Sequence, residues 1–242
     1  MLNYTDVLKR EDKRLSSLLT RYSGRHLLQL SDYTFSSLAV SPILHKIRVS
    51  NNTNSLPTVD FTAPRFHFLL SAYTNLPFAS ESINLILLPH ALELNKNAKQ
   101  VLSESWRVLA PDGHLILLGI NPLSLWGLHH LVGADRYLAR NGRLYTMQTI
   151  CQWIYSLGGE ICHIESFSFR PPLTSRVGKW LIDKLFWLER ISPWLFPYLG
   201  GIYLIVAQKR VRRLSASGFA WYFPPPLTNK SLASNVRKAH GV

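Results

Sequence analysis

The chain has 242 residues, 47% of them hydrophobic, which is enough for one sizeable core with appendages and favours one main domain over two. Its formal net charge of +13 gathers at the ends: residues 209–242 hold seven Lys or Arg and no acid, residues 1–25 hold six against three acids, and the middle carries only +3. Cys151 and Cys162 are the only cysteines and form no CxxC pair, which speaks against a disulfide framework or a zinc site, and no uncharged run of about twenty residues exists to span a bilayer.

In chain order, MLNYTDVLKREDKRL mixes acids and bases from the start and lacks the apolar core of a secretion signal, so a cytoplasmic protein is expected, peripheral at a membrane at most. Residues 5–20 read as a charged helix with Leu8, Leu15, Leu18 and Leu19 near one face, ended at Ser23-Gly24. Short apolar strands follow at His26–Leu30, Lys46–Val49 and Phe66–Leu70, separated by turns rich in Asn and Pro. SINLILL, from Ser82 to Leu88, is the continuous apolar run that a strand buried on both faces requires.

Residues 97–109 show helical periodicity, the turn Pro111-Asp112-Gly113 is expected to stop that helix, and HLILLGI at 114–120 is a second buried strand. Strand, helix and strand at this spacing predict a right-handed parallel crossover. A helix from Thr146 to Leu157 closes at Gly158-Gly159, and last strands are expected at Ile161–Phe169 and Ile202–Gln208 on either side of an aromatic block at 179–199. The expected organisation is an N-terminal helical segment at 1–25, a main domain at 26–210 and a basic, peripheral tail at 211–242. Basic ends attract the phosphates of nucleic acid or of anionic lipid; the plainer reading is a tail that keeps the protein soluble.

Leu76-Pro77-Phe78, the strand around Ile83–Leu88, and Trp106-Arg107-Val108-Leu109-Ala110-Pro111-Asp112-Gly113 together resemble the class I S-adenosylmethionine-dependent methyltransferases of the type 11 group. In that group LPF, a strand and RVLKPGG recur in this order. The resemblance is specific over 70–122 and extends to Arg143-Leu144-Tyr145-Thr146 and Leu157-Gly158-Gly159-Glu160. It implies a Rossmann-like seven-stranded, mostly parallel sheet with helices on both faces, and S-adenosyl-L-methionine lying across the carboxyl ends of the first four strands. Carried onto this chain, it implies cofactor contacts at Leu30, Ser31 and Asp32 after the first strand, at Ala72 and Tyr73 before LPF, and at Leu88 and Pro89 ending the fourth.

Three positions depart from the family pattern. The glycine-rich turn after the first strand reads Leu30-Ser31-Asp32-Tyr33, the acid ending the second strand is replaced by Arg48-Val49-Ser50-Asn51, and the adenine-reading Asp is Ala72. A lost hydrogen bond costs about 1–3 kcal/mol where its partner stays buried, so the departures predict weaker cofactor binding. Asp32, Asn51 or Asn75 could offset that loss; the plainer reading of Asp32 is a turn residue.

Methyl transfer mainly needs alignment of a nucleophile and sometimes a base. His90, just past the fourth strand, is the candidate catalytic residue as a neutral base; otherwise it is a loop histidine bonded to backbone. Glu93 reads as a residue that caps or flanks the next helix, Asn121-Pro122 as a turn before a helix or lid over 122–131, and His129-His130 as a solvated pair rather than metal ligands. The block 179–199, with three of the seven tryptophans, either packs on the sheet, covers an apolar substrate or lies in a membrane interface. Two functions follow: a methyltransferase acting on a small or apolar acceptor, or an inactive methyltransferase-like module whose basic ends bind nucleic acid, a membrane surface or a protein.

Overall fold

The structure, a computed structural model, describes residues 4–32, 35–52, 66–124, 142–167 and 200–210. His129-His130, the aromatic block, the tail and the predicted lid past Ser124 lie outside the described residues. Among them run α1 (Tyr4–Leu19), β1 (His26–Leu30), a 3₁₀ turn (Ser36–Val40), β2 (His45–Ser50), β3 (Phe66–Leu70) and β4 (Ile83–Pro89). They continue with α2 (Ala98–Val108), β5 (Leu109–Ile120), α3 (Met147–Ser156), β6 (Glu160–Phe167) and β7 (Ile202–Gln208).

The strands form one seven-stranded sheet in the order β3-β2-β1-β4-β5-β7-β6. β1 to β5 pair in parallel, and β7 runs antiparallel to both of its neighbours. The resemblance implied this class I methyltransferase fold, and the sheet has it. β4 explains its own sequence: alternate side chains face opposite sides, and both sides are covered. Ile86 and Leu88 pack with Val101, Leu102 and Trp106 of α2 and Ile150 and Ile154 of α3. Leu85 and Leu87 pack with Leu15, Leu18 and Leu19 of α1. The N-terminal helix is thus part of the main core.

One boundary differs from the sequence expectation. α2 already ends at Val108, before the Pro-Asp-Gly turn, because the chain enters β5 at Leu109. Lys209 Nζ closes the helix end by donating to the carbonyls of Trp106 (3.1 Å) and Leu109 (2.8 Å). The turn then bulges out of β5, where the pairing with β4 jumps from Ile83↔Leu109 to Leu85↔His114. α3 keeps the expected limits: Thr146 caps it by accepting from the Thr149 N–H (3.2 Å), and Gly158 takes a φ of 78° beyond its end. Both cysteines are free, and no helix among the described residues is long and apolar enough to cross a membrane.

Candidate functional site

β1 lies beside β4, and the chain leaves them in opposite directions, to β2 on one side and β5 on the other. An open parallel sheet has its crevice at such a reversal, outside the carboxyl ends of the strands. Asp32, just past β1, reaches into the ends of the two strands on its side. Its Oδ1 accepts hydrogen bonds from Ser50 Oγ at the end of β2 (2.6 Å) and from the Tyr73 hydroxyl past β3 (3.1 Å). Oδ2 makes no hydrogen bond among the described residues. Arg48 braces the same turn from below, donating to the carbonyls of Ser31 (3.3 Å) and Asp32 (3.0 Å). Burial, and then the Asp32 carboxylate, push the Tyr73 phenol well above the usual tyrosine range, so it remains a neutral donor.

The loop that carries Ala72, Tyr73 and Leu76-Pro77-Phe78 is held by α2. Arg107 Nη2 donates to the carbonyls of Leu76 (3.2 Å) and Phe78 (3.0 Å), while Glu104 Oε1 accepts the Leu76 N–H (2.8 Å). Arg107 and Glu104 are themselves paired at 2.7 Å, and that pairing lowers the Glu104 carboxyl. LPF and the arginine of the RVL run therefore recur together for a physical reason: one side chain clamps the other segment's backbone.

Beyond β4, His90 takes a left-handed φ of 56° and is only 3% exposed. Its Nε2 lies 3.0 Å from Glu11 Oε1 of α1, and its Nδ1 lies 3.7 Å from Glu93 Oε1. Glu93 Oε1 also accepts the Ile120 N–H at the end of β5 (2.7 Å). Burial alone would lower the imidazole, but Glu11 and then Glu93 outweigh it and raise His90 to about 10. A proton-accepting role for His90 would therefore begin only near that pH, and the neutral imidazole anticipated from the sequence is not the form this environment favours. Glu93 flanks α2, one of its two expected places, and bonds to β5 rather than capping the helix.

The predicted site residues divide into two groups. Asp32 and Tyr73 come together, beside Ser31, whereas Leu30 and Leu88 are fully buried in the core and Pro89 is also buried, so Leu30 and Leu88 can offer a ligand only backbone atoms. Ala72 is exposed on the loop. Asn121 forms the turn expected of it, accepting the Leu123 N–H on Oδ1 (3.1 Å). Sequence reasoning missed Ser50 as a partner and Glu11 altogether. Glu11 did carry a signal: it falls between Leu8 and Leu15 on the apolar stripe of α1, where a charge is out of place.

The fold matches known proteins. Residues 23–117 match the methyltransferase domain of the type 11 family, a stretch that begins before β1 and includes the glycine-free turn. The chain is 30% identical to the uncharacterized protein YafS of Escherichia coli K12 over 232 residues, covering 95% of this chain and 84% of that one. Among solved structures, an S-adenosylmethionine-dependent methyltransferase from Archaeoglobus fulgidus is similar with a TM-score of 0.58 at 17% identity, covering 86% of this chain and 100% of that one. The [4+2]-cyclase SpnF is similar with a TM-score of 0.58 at 15% identity, covering 82% and 80%. At such identities the structural likeness establishes the fold.

Proposed function

Because the chain belongs to the class I S-adenosylmethionine-dependent methyltransferases of the type 11 group, we propose that it binds S-adenosylmethionine at the carboxyl edge of β1 to β4 and methylates a small or apolar acceptor. The observation that carries this reading is the Asp32 carboxylate at the crevice, fixed by Ser50 and Tyr73 with Oδ2 left without a bond among the described residues. The family holds the ribose hydroxyls with an acid that ends β2. Here Ser50 stands near that end, and its 2.6 Å bond brings an acid to the same place from the neighbouring strand. Such an oxygen fits the ribose hydroxyls, which donate hydrogen bonds.

In this reading the Asp32 carboxylate and the neutral Tyr73 hydroxyl hold the ribose end, and Arg48 stiffens the turn that glycine would otherwise form. Bound S-adenosylmethionine supplies an electrophilic methyl group on its sulfonium. The aromatic composition of 179–199 supports an apolar acceptor. Calorimetric titration with S-adenosylmethionine and S-adenosylhomocysteine tests the reading: binding of both is expected, and no binding at millimolar ligand would remove it.

A second reading is favoured by the glycine-free turn: a methyltransferase-like module that binds nucleic acid, an anionic membrane or a protein through its basic ends. It requires the same titration to be blank. Deletion of residues 211–242 should then abolish retention on nucleic acid or anionic liposomes, and unchanged retention would dismiss the tail as the contact.

A further inference from the structure

The ribose-side contacts leave unused the buried cluster of Glu11, His90 and Glu93, which are 0%, 3% and 1% exposed. Glu11 Oε2, His90 Nδ1 and Glu93 Oε2 are buried and have no hydrogen-bond partner among the described residues. Polar atoms left in this state are costly, and a cluster that retains three of them is poorly explained as core packing. Its location is informative. His90 opens the segment after β4, one wall of the crevice, and the residue beside Glu11 holds the other wall. Asp12 accepts the Ser37 N–H on Oδ1 (2.7 Å) and the Ser36 hydroxyl on Oδ2, fixing the 3₁₀ turn that follows β1.

We propose that Glu11 is a positioning residue for the S-adenosylmethionine crevice: through His90 it fixes the wall after β4, while Asp12 on the same helix fixes the wall after β1. Consecutive residues on a helix point about 100° apart, which is how one helix reaches both segments. Neither wall is held by its local sequence. The turn after β1 has no glycine, and His90 sits at a φ of 56°, a conformation a non-glycine residue keeps only when its surroundings impose it. Glu11 supplies the restraint with the 3.0 Å bond to Nε2, and the His90 N–H adds a bond to the Leu118 carbonyl (3.0 Å).

The restraint depends on charge. Among the described residues, the titratable groups facing His90 are Glu11 from α1 and Glu93 from its own segment; β5 contributes the Ile120 N–H to Glu93, and Tyr203 of β7, held neutral by burial and then by Glu93, adds no charge. With Glu11 in place the imidazolium persists to about pH 10, so crevice geometry is insensitive to pH near neutrality. Without its charge, His90 neutralises closer to the ordinary imidazole range and the pair opens within it.

This inference rests on the methyltransferase reading, and its test separates the two. S-adenosylmethionine affinity is measured by calorimetry from pH 6 to pH 9 on the wild type, on Glu11→Gln and on Leu18→Ala, a core change on the same helix. The wild type is expected to bind with constant affinity, Glu11→Gln to bind about tenfold more weakly at pH 9 than at pH 6, and Leu18→Ala to lose thermal stability with a flat profile. Glu11→Asp, which keeps the carboxylate, should restore the flat profile, and serves as the test should Glu11→Gln not fold: an Asp variant with a steep profile counts against the charge argument. Binding by the wild type together with a flat, wild-type-like profile in Glu11→Gln overturns the inference alone. A wild type that binds nothing removes the methyltransferase reading and the inference with it.

Discussion

On the β4 and β5 side of the sheet, the backbone is held by α2 and by two fully packed faces; on the β1 to β3 side, the strand ends meet in a polar group of Asp32, Ser50, Tyr73 and Arg48. β4 is buried almost throughout, whereas β3 is partly or fully exposed at every position. The first half carries the family's sequence signature and the scaffold's stability. In the proposed reading the second carries the cofactor contacts that distinguish this chain. A fold is protected by many small apolar contacts and tolerates loss of ligand contacts, so the two halves can diverge independently.

Substitutions that sharpen this contrast should fall in order of size. Ile86→Ala, in the middle of β4 and fully buried, should cost about 2–5 kcal/mol in urea unfolding, the largest effect expected. Gly119→Ala in β5 should cost about 1–3 kcal/mol, because a Cβ there would lie 2.3 Å from the Tyr203 ring. A loss no larger than a surface change in either case would break the assignment of stability to this half. Asp32→Ala, on the other side, should leave the unfolding midpoint nearly unchanged and weaken S-adenosylmethionine about tenfold, or ~1.4 kcal/mol, in calorimetry. The reverse pattern, lost stability with unchanged affinity, would make Asp32 a turn residue.

The remaining contrast is a dependence on pH. His90 is raised from its ordinary 6.5 to about 10, so between those values the folded chain keeps a proton that the unfolded chain releases. The stability this supplies is complete below pH 6.5 and is lost as pH rises towards 10. Urea midpoints measured at pH 6, 8 and 9.5 should therefore fall, and Glu11→Gln should flatten that slope; equal slopes would remove the ion pair as its source.

The strands and helices were legible wherever periodicity is strong. HLLQL, FHFLL and IYLIVAQ coincide with β1, β3 and β7 because short, largely apolar runs between turn-rich segments mark strands. The extent of α2 was legible to within a residue, while the bond from Lys209, a hundred residues away in the chain, to the Leu109 carbonyl beyond its end was not. The site was only half visible. Asp32 could be named from its position after β1, but its partners Ser50 and Tyr73 are separated from it by 18 and 41 residues. Glu93 was legible as a residue beside the next helix, but only the packing of β5 gave it the Ile120 N–H.

By itself the sequence determined the sheet and its order of elements, since burial on both faces writes itself into residue type along the chain. It also determined the absence of glycine after β1, a covalent fact no packing can alter. The tertiary structure decided what stands in place of that glycine turn, Arg48 on its carbonyls and Asp12 on the following turn, and it set Glu11 against His90 after β4. Hydrogen bonds and ion pairs between distant segments depend on distance in space, which periodicity along a strand or helix does not encode.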